Sequence, residues 1–189
     1  IEKLIGRGSA SRVFRATQIS LDRPVALKVL EEGLFSLDET TRRFLQEAQL
    51  VAKLEHPHIV PVYAAGCEGN LHFFAMRLVA GPSLADRVDR GIPLREGIRF
   101  LSHVSSALAY AHSKGMLHRD VKPANILLSD SSALLTDFGL ARLLERSTFT
   151  ASSAFLGTPR YASPEQARRE RAPFRSDLFA VGVILYEIA

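Results

Sequence analysis

The stretch HRDVKPAN, residues 118–125, decides how the rest of the chain is interpreted. It places five polar or charged side chains within eight positions, between the apolar runs Gly-Met-Leu and Ile-Leu-Leu. Charged groups beside a core are costly unless they are paired or used. The stretch therefore predicts a functional loop or, as the simpler alternative, a polar loop that caps a helix.

A hairpin is predicted directly after this loop. Asn125 and Asp137 lie twelve residues apart, and apolar runs at 126–128 and 133–135 flank Ser-Asp-Ser-Ser between them. We expect strand pairing to bring the Asn125 amide oxygen and the Asp137 carboxylate side by side. Two hard oxygen ligands of this kind suit Mg²⁺. In the preceding loop, Asp120 could accept a proton from an attacking hydroxyl and Lys122 could neutralise charge on a phosphoryl group.

The composition is that of an ordinary globular protein. The 189 residues are 47% hydrophobic and 23% charged, with a net charge of +4 and a pI of about 9.5. This modest basic excess suits a phosphate-bearing ligand, although a generic basic surface explains it equally well. The single cysteine, Cys67, excludes an internal disulfide framework and favours a reducing compartment. The basic run at 168–175 contains one aromatic residue, Phe174, rather than a series of aromatics interleaved with the arginines, so we expect no nucleic-acid binding.

The order of predicted elements is strands with one helix, a break, and then mainly helix. Apolar and polar residues alternate in SRVFRATQ, and VALKVL is a β-branched run, so both predict strands. A capping box at Ser36 predicts the start of a helix over about 37–54. HIVPVYAAG and LHFFAMRLV follow as two more strands, joined by a Cys-Glu-Gly-Asn turn. Gly81-Pro82 then breaks the pattern. Helical spacing runs through Leu94, Ile98, Leu101, Val104 and Leu108, and Gly115 ends that helix.

The strand VALKVL predicts a nucleotide site. Its pleat places Ala26, Lys28 and Leu30 on one face, so a small residue precedes a cation that could reach phosphates. A snorkelling surface lysine is the alternative. Glu47 lies on the apolar stripe of the first helix, where an unpaired carboxylate is costly. We therefore expect a Lys28–Glu47 ion pair, with a surface Glu47 as the alternative.

Together HRDVKPAN, DFG (137–139) and VALKVL resemble the catalytic loop, metal-binding triplet and nucleotide lysine of eukaryotic-like protein kinases. GTPRYASPEQ and HPHIVPVY resemble the bacterial serine/threonine branch. The resemblance covers the whole chain. It implies an α+β, bilobal protein-kinase-like fold with a β-rich N-lobe carrying one helix (1–76), a hinge (77–82) and a mainly helical C-lobe (83–189), incomplete after its central helix.

The resemblance implies an ATP-dependent kinase that uses Mg²⁺ and phosphorylates protein serine and threonine. Asp120 would orient and deprotonate the substrate hydroxyl, Lys122 would contact the γ-phosphate, and Asn125 and Asp137 would hold Mg²⁺. Thr158 and Lys122 match the serine/threonine pattern rather than the tyrosine one. The residues expected around the nucleotide are Ile5, Gly6, Gly8, Val13, Ala26, Lys28, Glu47, Met76, Val79 and Leu127. For Val13 and Leu127, an ordinary core position is the alternative.

Two positions depart from the family pattern. In GRGSASRV the third glycine of the nucleotide loop is Ser11, which leaves activity expected but its rate open. A glycine loop alone could instead indicate a nicotinamide-dependent enzyme, but an alternating strand follows it rather than a helix. Many relatives have an acidic residue where Arg77 stands, which changes the charge of the pocket more than the binding of ATP.

The resemblance also implies regulation by phosphorylation. Arg119 would bind a phosphate on the activation segment at about 140–160, where Thr150 and Ser152 are the expected autophosphorylation sites. An unmodified Ser/Thr loop is the alternative. The expected partners are protein substrates. A dimer in which one copy phosphorylates the other is a further expectation.

The last residues, 177–189, resemble the central helix of the kinase C-lobe, with Asp177 steadying the catalytic loop. We expect a cytoplasmic domain with no membrane segment in this chain. It could be the cytoplasmic part of a longer, membrane-anchored protein. A helix cut short would expose apolar surface and lower solubility. The alternative function is a non-catalytic fragment that binds nucleotide or partners.

Overall fold

The computed structural model describes residues 1–8, 11–30, 38–69, 71–138, 159–168, 170 and 173–189. The described residues fall into two compact units. The first contains Ile1–Glu55 and Val60–Val79, and the second contains His56–Ile59 and the described residues from Ala80 onward. The division falls after Val79, inside the predicted hinge.

The first unit is built on an antiparallel sheet of the strands β1 (Lys3–Arg7), β2 (Ser11–Gln18), β3 (Arg23–Leu30), β4 (Val62–Glu68) and β5 (Leu71–Arg77). Their order across the sheet is β1-β2-β3-β5-β4. The predicted strands are confirmed, but β4 begins four residues later than the start of HIVPVYAAG. Strand β4 also extends through Cys67 and Glu68, so the connection to β5 is shorter than the predicted Cys-Glu-Gly-Asn turn. Within this connection Gly69 has a φ of +57°.

Helix α1 (Asp38–Ala52) packs against β4. Phe44, Ala48 and Val51 of the predicted apolar stripe are buried. The spacing therefore identified both the helix and its core face. Ser36, the predicted cap, lies outside the described residues.

The second unit contains α2 (Leu84–Val88), α3 (Leu94–Ser113), the short α4 (Pro164–Ala167) and α5 (Arg175–Ile188) among its described elements. Helix α3 packs against α5, and its buried side includes Phe100, Leu101, Val104 and Leu108. Leu94 and Ile98 were expected on this face but are exposed. Gly97 marks the contact instead, since a Cβ there would lie 2.6 Å from a side-chain carbon of Ile188.

Strands β6 (Ile126–Ser129) and β7 (Ser132–Leu135) form the predicted hairpin, but in a register one residue away from the expected one. Ser129 pairs with Ser132 across a two-residue turn in which Asp130 has a φ of +49°. Such a tight turn sets the pairing of the whole hairpin. The residue opposite Asn125 is consequently Thr136, whose N–H donates to the Asn125 carbonyl at 3.0 Å. Asn125 and Asp137 are therefore not directly opposite each other, which corrects the expected register by one residue, and the placement of their side-chain oxygens side by side stays a prediction.

The hairpin also contacts the segment before α2. Ser83 and Leu127 form an antiparallel bridge, and the Leu128 N–H donates to the Pro82 carbonyl at 2.9 Å. A Cβ at Gly81 would lie 1.8 Å from the Leu128 carbonyl oxygen, so only glycine fits there. Among the described helices, none has the length and apolar character of a membrane-spanning segment.

Candidate active site

The loop at 118–125 is anchored by a buried carboxylate on α5. Asp177 is 1% exposed and accepts the backbone N–H groups of His118 at 2.9 Å and Arg119 at 2.8 Å. His112 Nε2, at the end of α3, lies 2.8 Å from the same carboxylate. Burial raises the pKa of Asp177, but the hydrogen bonds from His112 and the loop outweigh it and lower that pKa. The expected role of Asp177 in steadying this loop is confirmed.

His118 is fully buried, and its hydrogen bonds define its tautomer. The Asp120 N–H is 3.3 Å from His118 Nδ1, and His118 Nε2 is 2.7 Å from the Thr136 carbonyl oxygen. Because an amide N–H can only donate and a carbonyl can only accept, Nδ1 accepts and Nε2 carries the proton. The ring also meets Phe138 edge-on, with centroids 4.6 Å apart. His118 therefore joins the loop to the segment that carries Asp137.

Asp120, Lys122 and Asn125 form one cluster in this loop. Lys122 Nζ lies 2.8 Å from Asp120 Oδ2. The Asn125 amide nitrogen donates to the Asp120 carbonyl oxygen at 2.8 Å and to its carboxylate at 3.0 Å. The Asp120 and Lys122 side chains keep 25% and 23% of their surface exposed, so both remain accessible to a substrate. The three residues predicted to act together are thus brought together.

The metal-ligand prediction fits the donor chemistry of this cluster. Both N–H groups of the Asn125 amide are turned toward Asp120, which leaves the amide oxygen as the Asn125 atom that can bind a cation. Asp137 follows β7 in the left-handed backbone region, with a φ of +70°. A non-glycine residue in that region stores strain, a feature common at functional sites. Amide and carboxylate oxygens are the donors that Mg²⁺ takes.

The first unit contains most of the predicted nucleotide residues. Ala26 pairs with Met76 across β3 and β5, and Lys28 pairs with Val13 across β2 and β3. Lys28 is buried at 8% exposure and Glu47 is half-buried. Burial of Lys28 argues against the snorkelling surface lysine, because an ammonium leaves water only at a cost. The Lys28–Glu47 ion pair stays a prediction.

The glycine loop joins two antiparallel strands. Gly6 pairs with Val13, and the Gly8 N–H donates to the Ser11 carbonyl at 2.8 Å. The strand predicted after this loop is confirmed, so the helix N-terminus that a dinucleotide site requires is absent there. Ile5 is exposed on β1, and Ser11 is buried beside Gly8.

Of the remaining predicted positions, two lie in the described part of the chain and three lie outside it. Val79 ends the first unit, whereas half-buried Leu127 lies on β6 in the second. Thr150, Ser152 and Thr158 lie outside the described residues.

Sequence reasoning missed the contacts made by the segment after residue 158. Gln166 Nε2 donates to the Arg119 carbonyl at 2.9 Å, and Tyr161 Oη donates to Glu187 at 2.8 Å. Burial and the contact with Glu187 raise the pKa of Tyr161 to about 12. The capping-box pattern in SPEQ could have indicated the start of α4. No local signal could have indicated the partner of Gln166, 47 residues away.

The sheet of the first unit and the loop and hairpin of the second are the elements of a protein kinase. A family model described as "Protein kinase domain" matches residues 1–189, and the chain belongs to this family.

Several curated relatives are bacterial proteins named as serine/threonine-protein kinases. The chain is 42% identical to pkn3 of Myxococcus xanthus, over 100% of this chain and 37% of that protein. It is 38% identical to PrkC of Bacillus subtilis and 40% identical to PknL of Mycobacterium tuberculosis, covering 30% and 48% of those proteins and 100% of this chain. The chain thus spans less than half the length of these relatives.

A solved structure confirms the fold. The kinase domain of Mycobacterium tuberculosis PknI matches with a TM-score of 0.78 and 30% identity, over 98% of this chain and 71% of that one. The expected protein-kinase fold and the bacterial serine/threonine branch are both confirmed.

Proposed function

We propose that this protein is an ATP-dependent kinase that transfers the γ-phosphate of ATP to serine and threonine hydroxyls of protein substrates. The observation that carries the proposal is the cluster of Asp120, Lys122 and Asn125, in which a carboxylate, an ammonium and an amide lie within hydrogen-bond distance. The named activity of the bacterial relatives supports it.

Asp120 has the chemistry of the general base. Its carboxylate would accept the proton of the substrate hydroxyl as that oxygen forms a bond to the γ-phosphorus. The bond from the γ-phosphorus to the β,γ-bridging oxygen breaks in the same transfer, and ADP leaves with the bonding electrons. Asn125 holds the Asp120 carboxylate by its amide N–H at 3.0 Å, which limits the orientations of the base.

Lys122 has the chemistry of an electrostatic stabiliser. Its ammonium would neutralise negative charge on the transferred phosphoryl group. Mg²⁺, when bound by Asn125 and Asp137, would neutralise further charge on the phosphate oxygens. In the first unit, buried Lys28 supplies a cation for the nucleotide phosphates, and Ala26 beside Met76 leaves room for a flat base.

Regulation by phosphorylation forms a second part of the proposal. Arg119 precedes the proposed base, and an arginine there can hold a phosphate bidentately. The proposed phosphate acceptors are Thr150 and Ser152. Phosphate mapping of active protein tests them, and finding neither residue modified would remove this part.

Intact-mass spectrometry after incubation with Mg²⁺ and ATP tests the activity. The parent protein should gain phosphate, and Asp120→Asn should lower the rate by roughly 10²- to 10⁴-fold, the usual contribution of a general base. Asp130→Asn is the matched control, because Asp130 is exposed at the hairpin tip and asparagine tolerates its positive φ. No phosphate gain by the parent, or equal gain by Asp120→Asn, would contradict the proposed function.

A further inference from the structure

The peptide group that joins Arg119 to Asp120 is held at both ends. Its carbonyl oxygen accepts the side-chain N–H of Gln166 at 2.9 Å, and its N–H donates to His118 Nδ1 at 3.3 Å. The next N–H upstream, that of Arg119, is bound by Asp177 at 2.8 Å. Arg119 has a φ of +69°, a strained conformation that its surroundings must maintain. This peptide sets the direction in which the Asp120 side chain leaves the backbone.

Gln166 reaches this peptide from a firmly anchored helix start. Its Oε1 accepts the Ser163 N–H at 3.1 Å, which closes the capping box of α4, while its Nε2 donates to Arg119. Ser163 is fully buried and bonds to Ser176 of α5 at 3.0 Å. The two ends of one amide therefore have different partners, and a flipped amide would place its oxygen against the Arg119 carbonyl.

We infer that Gln166 is a positioning residue for the proposed phosphotransfer, acting through the Arg119 carbonyl on the orientation of Asp120. The inference rests on the proposed function and adds to it a link from the segment after residue 158 to the base. Gln166 itself touches none of the reacting atoms. A base turned away from the substrate hydroxyl loses rate steeply, since positional errors of about 1 Å can cost about 10²-fold.

Gln166→Glu separates the two contacts of this side chain. Glutamate keeps the acceptor that the capping box needs. It loses the N–H donor, and its charged oxygen repels the Arg119 carbonyl. We expect kcat to fall roughly 10- to 100-fold, with little change in KM for ATP and little change in the urea midpoint.

The pH profile distinguishes this role from a purely structural one. As pH falls toward 5, the introduced carboxyl takes up a proton and can donate to the Arg119 carbonyl again. The ratio of parent to Gln166→Glu kcat should therefore shrink between pH 8 and pH 5. The methionine side chain of Gln166→Met is uncharged and has no hydrogen-bond donor. This variant should also be slow, but its ratio of parent to variant kcat should stay constant between pH 8 and pH 5.

Amide hydrogen exchange gives a readout that does not depend on activity. Exchange of the Asp120 N–H should be roughly tenfold faster in both variants than in the parent, while buried α3 amides are unchanged. An active parent with an equally active Gln166→Glu variant, or unchanged Asp120 exchange in both variants, would overturn the inference. An inactive parent would count against the proposed function, and the exchange measurement would still decide the positioning role.

Discussion

The Asp177 carboxylate accepts the backbone N–H of Arg119 at 2.8 Å, although 58 residues separate the two in sequence. The same carboxylate binds His118 and His112, so one side chain of α5 joins the end of α3 to the proposed catalytic loop. A carboxylate that receives three hydrogen bonds in a buried place is hard to replace. Its removal leaves two backbone donors without an acceptor.

Asp177→Asn should therefore impair both stability and rate. Asparagine offers one acceptor oxygen in place of two, and its NH₂ group meets a backbone donor. We expect a loss of about 1.5–3 kcal/mol in the free energy of unfolding. The phosphotransfer rate should also fall on the order of 10²-fold. Urea unfolding and a phosphate-incorporation assay measure the two effects, and Asp22→Asn in an exposed turn is the control. A variant with parental rate would show that the loop does not depend on this anchor.

Gly81→Ala should destabilise the second unit by about 1–3 kcal/mol. The added Cβ would overlap the Leu128 carbonyl oxygen, which lies 1.8 Å from the ideal position, and β6 would have to move. Gly182→Ala provides the contrast, because a Cβ there meets no atom of the described residues within 4 Å and alanine favours the α5 helix by up to about 1 kcal/mol. Urea unfolding should move the midpoints in opposite directions. Equal shifts for the two variants would mean that the close approach to Leu128 is unimportant.

A histidine cluster should make stability depend on pH. His58 stacks on His103 with centroids 4.1 Å apart, and His56 stacks on Tyr110. Burial is the main cause that lowers the pKa of His56 below its ordinary value of 6.5, and the nearby His58 lowers it further. Burial is also the main cause that lowers the pKa of His103, and His58 and Arg99 add to that effect. Because these histidines bind protons at a higher pH in the unfolded chain than in the folded protein, stability should be full above about pH 6.5 and fall as pH drops below it.

Urea unfolding at pH 7.5 and pH 5.5 measures this loss. His103→Asn removes one titrating ring while offering an acceptor for the Ala133 N–H that now binds His103 at 3.3 Å. The variant should lose less stability between the two pH values than the parent does. The same loss in both proteins would assign the pH dependence to other histidines.

Tyr161→Phe should cost more stability than Arg160→Ala, although both residues bind Glu187. The tyrosine hydroxyl donates to Glu187 at 2.8 Å from a half-buried position, and such bonds to charged acceptors contribute about 1.5–3 kcal/mol. The Arg160 side chain is 64% exposed, so its 2.9 Å ion pair contributes about 0–1 kcal/mol. Thermal unfolding of both variants gives the comparison, and a larger loss for Arg160→Ala would reverse this ranking.

Most of the elements could be predicted because they depend on local patterns. Alternation identified β2, a β-branched run identified β3, and the spacing of Phe44, Ala48 and Val51 identified α1 and its buried face. Errors appeared where one residue of register mattered. The two-residue turn at Asp130 moved the partner of Asn125 from Asp137 to Thr136, and the apolar pattern alone could not distinguish the two pairings.

The sequence by itself determined the kinase family, the order of strands and helices, and the chemistry of the candidate site, because these depend on residue type and short spacing. The family resemblance indicated Asp177 as one support of that site, but only the tertiary structure decided the contacts of Asp177 and the further support from His112 and Gln166. Asp177 and Gln166 bind the loop at 118–125 from helices 58 and 47 residues away in the chain, and Asp177 also binds His112, 65 residues before it. A hydrogen bond between residues about 50 apart depends on how helices pack, and no local pattern records that packing.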